Sequence, residues 1–209
     1  MIRFGLPLLL AASLLPGAAH AADLPTPLGL HGFNLGMTLA EVRGQKFPGP
    51  AATKARLICS GDKLSKAEEI ELLPGDELRK AGVKACHFFA IEDEAKRKAP
   101  LEVGGHDAEV TFLVTPKAGD PATSERLYLI LAKAEPAHFD DLVAAYTTQL
   151  GQPDVRLGQL KIWQNSRAAL MINAEPSKSS GVAYVDKALA EKVTPPTDAK
   201  AKPDEKKPQ

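Results

Sequence analysis

"HDAEVTFLVTPKAGDPATSERLYLILA", residues 106–132, decides the fold. Residues 106–115 alternate, placing Ala108, Val110, Phe112 and Val114 on one side of an extended chain. That is the period of a strand with one buried face. Residues 116–125 are a turn-rich connection, and "RLYLILA", 126–132, is a second strand. Together they predict an antiparallel hairpin. The next segment changes period. In "PAHFDDLVAAYTTQLGQP", 136–153, Phe139, Leu142, Val143, Tyr146 and Leu150 recur at helical spacing, and Gly151 and Pro153 stop the run. A helix over 136–150 with one apolar stripe has to bury it on the neighbouring sheet. The expected fold class is therefore α+β, an antiparallel sheet with helices packed on one face.

Toward the C-terminus, "KIWQNSRAALMIN", 161–173, reads as two strands around an Asn165-Ser166 turn. "GVAYV", 181–185, is a last strand and "DKALAEK", 186–192, a short helix. Residues 193–209, rich in Pro and Lys without apolar period, read as a disordered tail. The acidic residues of the tail nearly cancel its basic ones, which favours a solvated tail over one that holds anionic lipid or polymer.

Toward the N-terminus, "ACHFFAI", 85–91, reads as a buried strand and 92–100 as a charged, solvated loop. Residues 51–84 read as irregular or weakly helical, with short helices over 63–73 and 75–83. Asp76 is the N-cap of the second and Gly82 its stop. The segment between Cys59 and Cys86 is thereby a helical excursion tied at its base. In "GFNLGMTLAEVRGQKFPG", 32–49, Thr38 and Glu41 have capping-box spacing, Leu39 and Val42 form an apolar side, and Gly44 ends the helix. Gly36 permits a tight turn before the cap. The Gly-Met-Thr step is a helix-entry device.

Residues 1–21 form a signal peptide: Arg3, an apolar core broken by Pro7 and Pro16, and the small-x-small site Ala19-His20-Ala21. Cleavage between Ala21 and Ala22 is expected, with a retained N-terminal anchor as the alternative. Residues 22–192 are then a single α+β domain, with a disulfide-tied N-terminal half and a sheet–helix C-terminal half. No later run is apolar for long enough to span a bilayer. The expected compartment is the bacterial periplasm, with secretion as the second reading. Cys59 and Cys86 are the only cysteines, and an even count in an exported chain reads as a disulfide. The loop of about 28 residues gives roughly 3–4 kcal/mol by chain entropy. The alternative is a metal site formed with the adjoining His87.

Composition narrows function. Basic and acidic residues number 26 each, so no charge excess points to nucleic acid. Aromatics are 5% of the chain, too few for a stacking platform. There is no G-x-S-x-G elbow, no H-E-x-x-H and no P-loop, and the glycines of "GLHGFNLG", 29–36, are wrongly spaced for a dinucleotide. Ser60, in "CSGD", reads as a turn residue. His31, His87, His106 and His138 are scattered singly. Glu68-Glu69, Glu92-Asp93-Glu94 and Asp140-Asp141 read as solvated faces. Trp163 and Tyr146 read as core. No catalytic residue, cofactor or metal is assigned.

"FNLGMTLAEV" resembles the G-M-[ST]-x-x-[EDQ]-V helix entry of small exported α+β modules. Among them is the SmpA/OmlA-like small lipoprotein of the outer-membrane β-barrel assembly machine. "AAYTTQLGQP…KIWQN" is similar to the helix, glycine–proline stop and Trp-bearing strand of uncharacterised periplasmic proteins of that kind. The cysteine pair between them also fits that group. The chain departs from the lipoprotein in its length and in having no acylated cysteine. The resemblance implies helices on one face of an antiparallel sheet and action by binding another envelope protein or peptide. The expected function is a non-catalytic envelope-associated interaction module, docking at the sheet face or edge that helix 136–150 leaves uncovered. The alternative is a small-molecule binder or hydrolase with a site between the cysteine loop and the sheet, where His31, His87 or His106 would converge with carboxylates.

Overall fold

The computed structural model describes residues 24–50, 54–63, 76–90, 97–175 and 179–193. In chain order the elements begin with β1 (Gly29–Leu30), β2 (Phe33–Asn34), α1 (Leu39–Gly44), β3 (Ala55–Cys59), α2 (Asp76–Lys80), β4 (Lys84–Ala90), β5 (Leu101–Val103) and β6 (His106–Val114). Then come β7 (Leu127–Ala134), a 3-10 turn (Pro136–His138), α3 (Phe139–Leu150), β8 (Val155–Leu157), β9 (Leu160–Gln164), β10 (Ala168–Glu175), β11 (Ser179–Asp186) and α4 (Lys187–Val193). The main sheet runs β3-β4-β6-β7-β11-β10-β9-β8, with β5 paired to β6, and all its named pairs are antiparallel. The expected class is the one adopted, and the 106–132 hairpin is its centre, as β6 and β7.

One register line organises the core. Cys59, Cys86, Phe112, Ile130, Tyr184, Leu170 and Trp163 are successive cross-strand partners from β3 to β9, each at most 2% exposed. Pairing fixes which side chains share a face, so one residue per strand suffices to build this buried line. α3 lies over it through Leu142 and Tyr146, with Phe139, Val143 and Leu150 half-buried beside them. The β1–β2 hairpin and α1 complete the cover through Phe33, Leu39 and Val42. α1 starts with the expected capping box. Thr38 Oγ1 accepts from the Glu41 amide at 3.2 Å, and Glu41 accepts from the Thr38 amide at 2.7 Å. That backbone hydrogen bond, with the Thr38 hydroxyl, holds the Glu41 carboxyl below its ordinary range.

The opposite face is covered at one end. There α2 and α4 bring Leu78, Leu189 and Val193 onto Val83, Ala85, Leu113 and Tyr128. Between β4 and β6 the sheet forks. The two strands pair only from Lys84 to Cys86. Beyond that, residues 97–103 enter the gap. Ala99 donates its amide to the Phe88 carbonyl, Ala90 donates to the Arg97 carbonyl, and Leu101–Val103 then pair with β6. A single short segment thus closes both strands of the fork and satisfies their backbone groups.

Several expectations change. Residues 51–84 were expected to be irregular or helical, yet Ala55–Cys59 is the edge strand β3, in register with β4 through Cys59 and Cys86. The tie between the cysteines therefore joins two strands of the sheet. β5 and β8, three residues each, add strands that alternation over longer windows does not reveal. The 136–150 helix begins with a 3-10 turn and becomes α-helical at Phe139. α4 remains helical and buried through Val193, one residue into the expected tail. The expected helix over 63–73, most of the 92–100 loop, residues 1–21 with the Ala21–Ala22 junction, and residues 194–209 lie outside the described residues.

Candidate functional site

Cys59 and Cys86 form a disulfide, with Cα atoms 4.0 Å apart, so neither is a thiolate ligand. Alternation along β4 also sends His87 to the face opposite Cys86. His87 is 4% exposed. It lies beside Phe89, with ring centroids 6.3 Å apart, and the Thr111 hydroxyl is 3.3 Å from Nε2 and 3.5 Å from Nδ1. Burial pushes the imidazole pKa down to about 4; Lys98 acts in the same direction, and Glu109 and a hydrogen bond with the Val110 backbone act against it.

The other expected histidines lie elsewhere. His31 sits in the β1–β2 turn at φ 50°, where Nε2 donates to the Glu102 carbonyl at 2.6 Å. His106 opens β6 and meets His138 and Asp141 instead. Among the described residues no metal-ligand cluster gathers His31, His87 and His106 together, but His106 meets the carboxylate of Asp141 and His31 lines a cleft with Glu102. Ser60 is structural. Its hydroxyl accepts from the Ala85 amide at 3.0 Å, and its own amide donates to the Ala85 carbonyl at 2.8 Å. Nearby Asp62 takes two hydrogen bonds from Arg43 and one from the Cys59 amide. Burial raises its pKa, but these bonds outweigh it, and the carboxyl stays below its ordinary range.

The tyrosine and tryptophan side chains expected in the core are there. Trp163 donates Nε1–H to the Gly151 carbonyl at 2.8 Å, which locks the end of α3 to β9. The hydroxyls of Tyr146 and Tyr184 hydrogen-bond each other, and burial raises both pKa values. Tyr146 and Tyr184 also line a cleft of about 330 Å³ between the β1–β2 hairpin, the β5–β6 turn and α3, together with His31 and Gln149.

The uncovered part of the sheet has its own register line. Thr111, Leu131, Ala183, Met171, Ile162 and Val155 are successive partners from β6 to β8. Each is half-buried except Leu131, which is 39% exposed. At a strand spacing of about 4.8 Å this apolar stripe runs about 24 Å. Beside it lies a hollow of about 270 Å³, with Leu131 and Gly181 in its floor and Glu109, Lys133 and Asn173 around it. A Cβ at Gly181 would stand 2.6 Å from Asn173 Oδ1, so a larger residue there would push the Asn173 side chain aside.

This is an antiparallel α+β protein in which, among the described residues, one sheet face is sealed and the other is left uncovered at its centre. Compared with known proteins, the chain matches no family model, no curated protein and no solved structure. Among the described residues no helix is long and apolar enough to cross a membrane.

Proposed function

We propose that the protein is an exported, non-catalytic interaction module of the bacterial cell envelope. In this reading it docks an elongated apolar ridge of another envelope protein on the half-buried stripe through Leu131, Ala183, Met171 and Ile162. The observation that carries it is the contrast between two register lines of one sheet. The line from Cys59 to Trp163 is sealed, whereas the line from Thr111 to Val155 presents apolar side chains on a surface that α3, α2 and α4 do not cover. A contiguous apolar surface with a polar rim is the signature of a protein contact. Residues whose types could have supplied chemistry have structural partners: the cysteines each other, Ser60 the β4 backbone, and His87 Thr111.

A photoreactive amino acid at position 131, in protein exported by intact cells, tests this reading. Discrete high-mass adducts from position 131, and none from exposed position 148 on α3, are the expected result. Adducts absent at 131, or equal at both positions, overturn it.

The Tyr146–Tyr184 cleft favours a second reading, a small-molecule binder, because its volume lies at the lower end of the range for ligand sites. A small molecule seen by native mass spectrometry on the envelope-derived protein, and lost when Ala145→Trp fills the cleft, would support that reading over the first.

A further inference from the structure

Glu135, His138 and Asp141 recur every three residues, as the N-cap of the 3-10 turn, its last residue, and the first turn of α3. A helix with three residues per turn stacks such positions on one side. His106 arrives from another element. It opens β6 directly after Gly104-Gly105, and Gly104, at φ +58°, packs so closely on α3 that a Cβ would stand 2.8 Å from Leu142 Cδ2. That close approach brings the β5–β6 turn onto the start of α3 and sets His106 beside His138.

The resulting geometry places two imidazoles and a carboxylate side by side. The two imidazole rings are stacked, with centroids 3.8 Å apart and planes 19° apart. His106 Nε2 is 3.3 Å from Asp141 Oδ2. One nitrogen of each ring and one Asp141 oxygen all lie within 4.8 Å of one another. Glu135 Oε2 is 3.9 Å from His138 Nε2. A tetrahedral ion with bonds of about 2.0–2.1 Å holds its donors about 3.3 Å apart. The His106–Asp141 pair already has that spacing. The remaining adjustments are a splaying of the two rings, whose side chains are 23% and 29% exposed, and an inward turn of the exposed Glu135 side chain.

We propose that His106, His138 and Asp141, with Glu135 as fourth donor, bind one divalent transition-metal ion of the zinc class. Two imidazoles and two carboxylates are borderline nitrogen and hard oxygen donors, which suits Zn²⁺ and, by the usual affinity order, Cu²⁺ more tightly. The ligand set joins two elements distant in sequence, so the bound ion pins the β5–β6 turn to the start of α3. The site is separate from the stripe through Leu131, and neither proposal depends on the other.

The test is a calorimetric titration of the full chain with ZnCl₂ after chelator treatment, together with NMR of the histidine rings. The expected result is one ion per chain, with the His106 and His138 ring resonances shifting on binding. His106→Gln and His138→Gln should each weaken binding at least about tenfold, and His31→Gln should leave it unchanged. All three variants change exposed or half-exposed side chains, and an unaltered urea midpoint in metal-free buffer checks that each is folded. Absence of binding, binding that survives both His106→Gln and His138→Gln, or equal weakening by His31→Gln overturns the proposal.

Discussion

Replacing His87 by glutamine should change how the protein responds to acid. The imidazole is almost wholly buried, and its pKa lies at about 4 in the fold, against about 6.5 in an unfolded chain. The sign follows from proton uptake. As pH falls below about 6.5 the unfolded chain gains a proton that the native state refuses until about pH 4, so stability is full at neutral pH and is lost across that window. Linkage gives a loss of about 2 kcal/mol between pH 7 and pH 5, approaching about 3 kcal/mol near pH 4. The substituted glutamine would keep a polar partner for Thr111 and would not titrate. Lys98 and Glu109 are present in both proteins, so their own contributions cancel in the difference. Urea unfolding at pH 7, 6 and 5 measures the effect. The wild-type free energy should fall about 2 kcal/mol further than that of His87→Gln over this range. Parallel declines in the two proteins, or a steeper one in the variant, would refute the burial argument.

Leu142→Ala removes a fully buried side chain from α3 and should lower stability by about 2–5 kcal/mol, against a few tenths for Thr148→Ala on the exposed side; equal urea midpoints would mean that α3 faces the wrong way. Tyr184→Phe should cost about 1–3 kcal/mol because it strands the buried Tyr146 hydroxyl, while Tyr146→Phe with Tyr184→Phe should cost less than the sum of the single changes. A strictly additive double-mutant cycle, measured by denaturation, would deny the hydroxyl pair. Replacing both Cys59 and Cys86 by Ser should lower stability by about 2–5 kcal/mol and speed amide hydrogen exchange in β3 before β7; unchanged exchange in β3 would show that the cross-link is not what holds the edge.

The sequence was most legible where one period persisted. Ala108, Val110, Phe112 and Val114 identify the buried side of β6 because four alternations repeat without interruption. The stripe from Phe139 to Leu150 identifies α3 for the same reason at the helical period. β3 escaped because Leu57, Ile58 and Cys59 are apolar in succession, and an edge strand with partners on both faces has no alternation to read. β5 and β8 are shorter than any window that measures period, and they exist through the turns at Gly104-Gly105 and Gly158-Gln159. The disulfide was legible from the cysteine count and the expectation of export, but its place in the sheet was not. The His106–His138 meeting depends on the contact of Gly104 with Leu142, a tertiary event that no spacing encodes. The three-residue spacing of Glu135, His138 and Asp141 was in the sequence, and the 3-10 turn that gives it meaning was not expected.

The cystine at the end of the buried line also governs what the molecule offers to its neighbours. Among the described residues β3 is the outermost strand on its side of the sheet, and no further described strand meets the backbone groups of its outer edge. Such a border invites exchange, in which an outer strand leaves and a strand from a second molecule takes its place. The Cys59–Cys86 bond fastens that strand to β4 at its last residue, so a β3 that peels away stays tethered there. Reduction would turn a fixed margin into a removable flap and allow chains to trade strands. An oxidising setting would thereby keep the end of that strand in its place beside β4 even while the rest of it frays.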